Sequence, residues 1–173
     1  MIAPRTVIII CGDFRLRERD DELYRYYHRL DGKEPFRTLI PGACLPFQED
    51  VVLKRGLLPF LKKGANHIHL EDHMGIDADT PGCAAFEIEN AETYGDLTPY
   101  HCKVEEQDHV VALDKTAKRF DVFLESHGFE ATINTGLYRH NAVGFGSTTL
   151  HRSDRQLALP SGNAAFPHLL RRH

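Results

Sequence analysis

Thr6-Val7-Ile8-Ile9-Ile10-Cys11-Gly12-Asp13-Phe14-Arg15 is the stretch that decides the fold. Its first five residues are all β-branched, which stiffens χ1 and suits a pleated, extended backbone. The run shows no polar alternation, as expected of a strand covered on both faces in a parallel sheet. A thiol, a carboxylate and a guanidinium follow at once, on Cys11, Asp13 and Arg15. In open parallel sheets, ligands collect at the carboxyl ends of the strands. Residues 6–12 therefore read as a buried strand delivering reactive groups to that edge.

Working outward, residues 17–30 carry Leu23, Tyr26, Tyr27 and Leu30 among charges, an amphipathic helix closed by Asp31-Gly32. The charges at 17–22 read as its solvated face. Phe36-Arg37-Thr38-Leu39-Ile40 is a second strand, stopped by Pro41-Gly42. Residues 49–63 form a helix weakened at Gly56 and Pro59 and capped by Gly64. A third strand spans 66–72 and gives way to a polar turn at His73-Met74-Gly75. Residues 74–101, with Pro81-Gly82, Gly95 and Pro99, read as a long irregular excursion. The strongest helical period runs over 103–127, closed by Gly128, and 129–134 is a fourth strand. From Asn141 onward the pattern is a loop and a short terminal arm.

This order predicts an α/β fold: a single domain over 1–173 with a small, mainly parallel four-stranded sheet flanked by helices. Its crossovers are right-handed, and residues 141–173 form a candidate C-terminal arm. The chain's 173 residues suffice for one core. A net charge of −4 gives no electrostatic reason to expect nucleic acid or an anionic membrane as partner. No stretch approaches the roughly 18–20 apolar residues of a membrane helix. Residues 1–5 lack the layout of a secretory leader, so a cytoplasmic protein is expected. The four cysteines (11, 44, 83 and 102) then read as reduced thiols in metal or catalytic use.

The third strand carries His67, His69 and Glu71 on one face, with His73 just beyond. Polar side chains inside such a strand must be hydrogen-bonded or ligated, since an unpaired buried polar group costs about 1–3 kcal/mol. His67 and His69 read as bonded polar residues. If the first and third strands are neighbours, Cys11 and His73 meet at one edge, and a thiolate beside an imidazole is half of a zinc site. The bland reading of Asp13 and Arg15 is a strand-end ion pair, with Asp13 capping the helix that follows.

Taken in order, these segments resemble the β-class carbonic anhydrases. Cys11-Gly12-Asp13-Phe14-Arg15 is similar to that family's Cys-x-Asp-x-Arg, and Leu39-Ile40-Pro41-Gly42-Ala43 to its second strand and small-residue turn. His67-Ile68-His69-Leu70-Glu71-Asp72-His73-Met74-Gly75 is similar to the strand that ends in Gly-His-x-x-Cys-Gly. The resemblance implies that Cys11 and His73 are zinc ligands and that Asp13, held by Arg15, hydrogen-bonds or gates the fourth position. It also implies carbon dioxide and bicarbonate as substrate and product, and a homodimer or higher homo-oligomer.

The chain departs from the pattern at Ile76, which stands where the family has its second cysteine. Isoleucine cannot bind a metal, so the third ligand comes from elsewhere. Cys83 is the first candidate, through a fold-back of 74–83; Asp77, Cys44 and Cys102 are the others. Two further readings accompany the carbonic anhydrase-like lyase. One is a zinc hydrolase of carbonyl sulfide or carbon disulfide. The other is a metal-free member of the same fold that binds a small ligand or a partner.

Overall fold

Strand β1 (Thr6–Ile10) is buried at every position and has parallel neighbours on both sides, β2 (Phe36–Leu39) and β3 (His67–Gly75). These assignments come from a computed structural model whose described residues are 5–43, 49–75, 82–83, 106–141 and 146–153. The sheet is completed by β4 (Thr132–His140), parallel to β3, and β5 (Gly146–Ser153), antiparallel to β4, in the order β2-β1-β3-β4-β5. The expected α/β fold with a mainly parallel sheet is present. The sheet has five strands, not four.

Helix α1 (Arg17–Asp31) links β1 to β2 and covers the face carrying His67, His69 and Glu71. It ends on Gly32 at φ 64°, whose N–H bonds to the His28 carbonyl. Helix α3 (Glu106–His127) joins β3 to β4 and packs Leu113, Ala117, Phe120 and Leu124 into the core. The helix expected over 49–63 spans 49–61, here α2, and its middle differs from a regular helix. A π-helical stretch, Val52–Leu57, separates α-helical Glu49–Val51 from Leu58–Leu61. Pro59 has no N–H to offer the preceding turn, and Leu58 N–H reaches back to the Leu53 carbonyl. The wider turn keeps backbone bonds while Gly56 lies against Thr38, whose hydroxyl donates to the Gly56 carbonyl at 2.9 Å. Among the described residues no helix is long and apolar enough to cross a membrane.

The largest differences from the sequence reading fall in the second half of the sheet. β3 continues through His73-Met74-Gly75, expected as a turn, because β4 runs on beside it to His140, pairing His73 with Tyr138 and Gly75 with His140. β4 in turn spans Thr132–His140, where 129–134 was expected. β5 occupies part of the expected loop and arm; residues 154–173 lie outside the described residues.

β5 approaches β4 closely at Gly136, beside a register shift between Thr135 and Gly136. A Cβ there would sit 2.9 Å from Thr148 Cγ2 and 3.4 Å from Glu71 Oε2. Gly136→Ala is expected to cost about 1–3 kcal/mol, the usual penalty of overpacking. It should appear as a lower urea midpoint at constant m-value; an unchanged midpoint would show that β5 yields freely.

Candidate metal centre

The chain passes from β1 to β2 on one side of β1, then crosses to β3 on the other. The carboxyl ends of β1 and β3 therefore flank a switch point, where open α/β sheets place their ligands. Cys11 lies immediately after β1. Gly42 N–H donates to its sulfur at 3.3 Å, from a residue at φ 62°, where glycine is at ease. His73 lies within β3, not past its end, and is fully buried. Cys83 is 2% exposed and its sulfur lies 3.7 Å from that of Cys11. The metal-binding atoms of Cys11, His73 and Cys83 all fall within 4.8 Å of one another, so this buried group can hold a metal ion.

The 3.7 Å separation is informative. A disulfide requires about 2.05 Å, and neither cysteine forms one. Two thiolates on one tetrahedral zinc, each about 2.3 Å from it, stand about 3.8 Å apart. Burial pushes a thiol's pKa up, but the hydrogen bond from Cys83 outweighs it; with the His73 ring and the Gly42 N–H it holds Cys11 down at about 4. A thiolate is the metal-binding and nucleophilic form of cysteine.

The third donor is prepared by its neighbours. His73 Nδ1 lies 2.9 Å from His140 Nε2, while His73 Nε2 is buried with no hydrogen-bond partner among the described residues. His140 Nδ1 lies 3.0 Å from the Asn141 carbonyl. Burial, with His73 nearby, pushes the His140 pKa down to about 4, so it is neutral at neutral pH. On the far face, Asp72 accepts from His73 N–H at 2.8 Å and pairs with His109 Nδ1 of α3 at 2.5 Å. That pair fastens α3 to the site strand.

Asp13 and Arg15 combine the bland and the functional readings. Asp13 caps the 3-10 turn Phe14–Leu16 by accepting from Arg15 N–H at 2.9 Å. Arg15 Nε donates to both carboxylate oxygens, at 3.0 and 3.1 Å, and its terminal nitrogen also pairs with Asp13. Partial burial raises the Asp13 pKa, but its bonds to Arg15 prevail and hold it below the usual carboxylate value. Arg15 donates in addition to the Gly82 carbonyl at 2.9 Å. One guanidinium thus ties the Asp13 carboxylate to the backbone that carries Cys83. A cavity of about 410 Å³ adjoins this edge, lined by Cys11, Asp13, Phe14, Arg17, Asp20 and Arg37 among others.

The other strand histidines are structural. Thr6 Oγ1 donates to Asp31 Oδ2 at 2.5 Å and so accepts from His67 Nδ1 at 2.8 Å. His69 Nε2 faces Glu71 at 3.1 Å, and its Nδ1 faces the Tyr27 hydroxyl at 2.8 Å. Glu71 is fully buried and receives Arg19 through two bonds, 2.7 and 2.9 Å. Arg19 and Asp20, 1% and 6% exposed, are therefore not part of a solvated face. A charged residue at 19 reads as wet from sequence unless its buried partner is known. His140 also lies outside the expected site, because the expected fourth strand stops six residues short of it; Gly136-Leu137-Tyr138-Arg139-His140 shows no apolar–polar alternation that would extend the strand. Asp77, Cys44 and Cys102, the other candidate ligands, and Ile76 lie outside the described residues. No family model matches the chain, and no curated protein matches it significantly.

Proposed function

We propose that Cys11, His73 and Cys83 bind zinc and that the protein is a β-carbonic-anhydrase-like lyase hydrating carbon dioxide to bicarbonate. The observation that carries this reading is the paired sulfurs 3.7 Å apart, beside a buried imidazole nitrogen that has no hydrogen-bond partner among the described residues. Two thiols and an imidazole are a donor set that zinc favours, and three protein donors leave the fourth position open, as in catalytic sites. The Cys-x-Asp-x-Arg order at a strand end supports the same assignment, and Cys83 takes the part that Ile76 cannot.

Zinc bound there supplies Lewis acidity, bringing the ionisation of water into the physiological range. The residues supply the rest. Cys11 and Cys83 are buried and keep bulk water from the donor side. Asp13, kept ionised by Arg15, accepts a hydrogen bond from the attacking water and so orients its lone pair toward carbon dioxide. Arg15 fixes Asp13 and, through Gly82, the position of Cys83. The cavity beside Cys11 and Asp13 admits the substrate. Phe14, 87% exposed at its rim, is apolar surface suited to cover by a second copy in a homodimer.

Elemental mass spectrometry of protein purified without chelators is expected to find about one zinc per chain. Carbon dioxide hydration followed by stopped flow should depend on that zinc. Protein that holds none and takes up none when it is added would sink the reading. Zinc-loaded protein that cleaves carbonyl sulfide or carbon disulfide but does not hydrate carbon dioxide would reassign the substrate.

A further inference from the structure

The sulfurs of Cys11 and Cys83, 3.7 Å apart, lie in van der Waals contact, 72 positions apart in the chain. Joining them takes an approach of under about 2 Å, within reach of side-chain movement. The two are not equally reachable. Cys11 lines the cavity of about 410 Å³ at the strand edge, with Gly12, Asp13 and Leu39. Cys83 is not among the residues lining that cavity and is 2% exposed. A small oxidant entering the cavity therefore meets Cys11 first and finds Cys83 behind it. Each sulfur is also held from its own side. Gly42 N–H donates to Cys11 at 3.3 Å, and Arg15 grips the Gly82 carbonyl, next to Cys83, at 2.9 Å.

We infer that Cys11 and Cys83 form a site of reversible oxidation by a small hydroperoxide, in which Cys11 reacts first and Cys83 resolves it to a disulfide. The Cys11 sulfur attacks one peroxide oxygen and the O–O bond breaks; the displaced hydroxide leaves with the thiol proton as water. The product is a sulfenic acid on Cys11. The Cys83 sulfur then attacks the Cys11 sulfur, the S–S bond forms, and the S–O bond breaks to release a second water with the Cys83 proton. Two thiols have given up two electrons, and the peroxide oxygens have taken them. A dithiol reductant reverses the change by becoming a disulfide itself. The pairing stands on the geometry of the two sulfurs; its consequence rests on the metal reading proposed above. A disulfide withdraws two of the three donors, so the centre holds its ion only while reduced.

The test treats wild type, as purified and after removal of metal by a chelator, with hydrogen peroxide. Peptide mapping is expected to find Cys11 joined to Cys83, and dithiothreitol to separate them again. In Cys83→Ser the reaction should stop at the first step, with a sulfenic acid at residue 11 trapped by dimedone. Cys11→Ser should form neither that adduct nor a disulfide. Oxidised wild type should bind zinc more than about 100-fold more weakly than reduced, in competition with a chromophoric chelator, since both thiolate donors are lost. A folded wild type that forms no disulfide, pairs other cysteines, or binds zinc equally well in both forms would overturn the inference. Dimedone on residue 83 instead of 11 would overturn the order of the steps. Should Cys83→Ser fail to fold, brief oxidation of wild type with dimedone present decides that order. Wild type that takes up no zinc defeats the metal reading instead, and the peptide map of that same protein still decides the pairing.

Discussion

Cys83→Ser is expected to lower zinc affinity by about two orders of magnitude while the chain stays folded. Structural zinc sites with four protein ligands are worth roughly 10–16 kcal/mol. One thiolate among them therefore accounts for about 3 kcal/mol, close to a hundredfold. Serine preserves the shape of the side chain but not the soft donor. Cys83 is buried in the core beside Cys11, near the Gly82–Arg15 tether, and serine fills nearly the same volume there. Far-ultraviolet circular dichroism should therefore match wild type while chelator competition separates the two. Cys11→Ser should do the same. Full retention of zinc by Cys83→Ser would move the third ligand to another residue and remove the argument built on the sulfur spacing.

The largest expected loss of stability comes from Arg19→Leu. Arg19 and Glu71 are both fully enclosed and joined by two hydrogen bonds. Removing one partner of such a pair leaves a buried charge without compensation, a loss of about 3–5 kcal/mol. Replacing both by leucine should cost markedly less, since the desolvation of both charges disappears together. Urea unfolding of the two variants side by side checks this; equal losses would contradict it.

The same pair predicts a reversal with pH. Burial pushes the Glu71 pKa up, but Arg19 overrides it and lowers it from an ordinary 4.5 to about 2. A depressed native pKa contributes stability that is fully present above about pH 4.5 and is lost as pH falls toward 2. In Arg19→Leu burial is left without that counterweight and raises the Glu71 pKa above its unfolded value. Acidification should then stabilise the variant relative to its own behaviour at neutral pH, while wild type weakens. Thermal unfolding from pH 7 to pH 3 separates the two slopes, and parallel slopes would refute the assignment.

How much of this was legible in the sequence varies residue by residue. β1 could be read because five β-branched residues without alternation have few other uses, and α1 because its period and its Gly32 stop agree. The meeting of Cys11 with His73 followed from the adjacency of β1 and β3, and the fold-back of Cys83 was a candidate that the structure brings within reach. β5 was not legible. Gly146-Ser147-Thr148-Thr149-Leu150 carries one large apolar side chain, and only its pairing with β4 makes it a strand. Arg19 and His140 escaped for a related reason: each is defined by a partner distant in sequence, Glu71 for one and His73 for the other.

The placement of the donors across the switch point also has a kinetic meaning. Cys11 and Cys83 are 72 positions apart in the chain, and no single element holds more than one of the three donors. An unfolded chain offers them only as isolated groups, and closing such a long loop carries its entropic cost before any reward. The donors meet only when β1 and β3 have paired, so the centre depends on a contact between distant parts of the chain. An ion seated there would act on the way out, as a clasp across the first and third strands that must open before they part. Zinc uptake would accordingly report, in real time, the arrival of the native strand order.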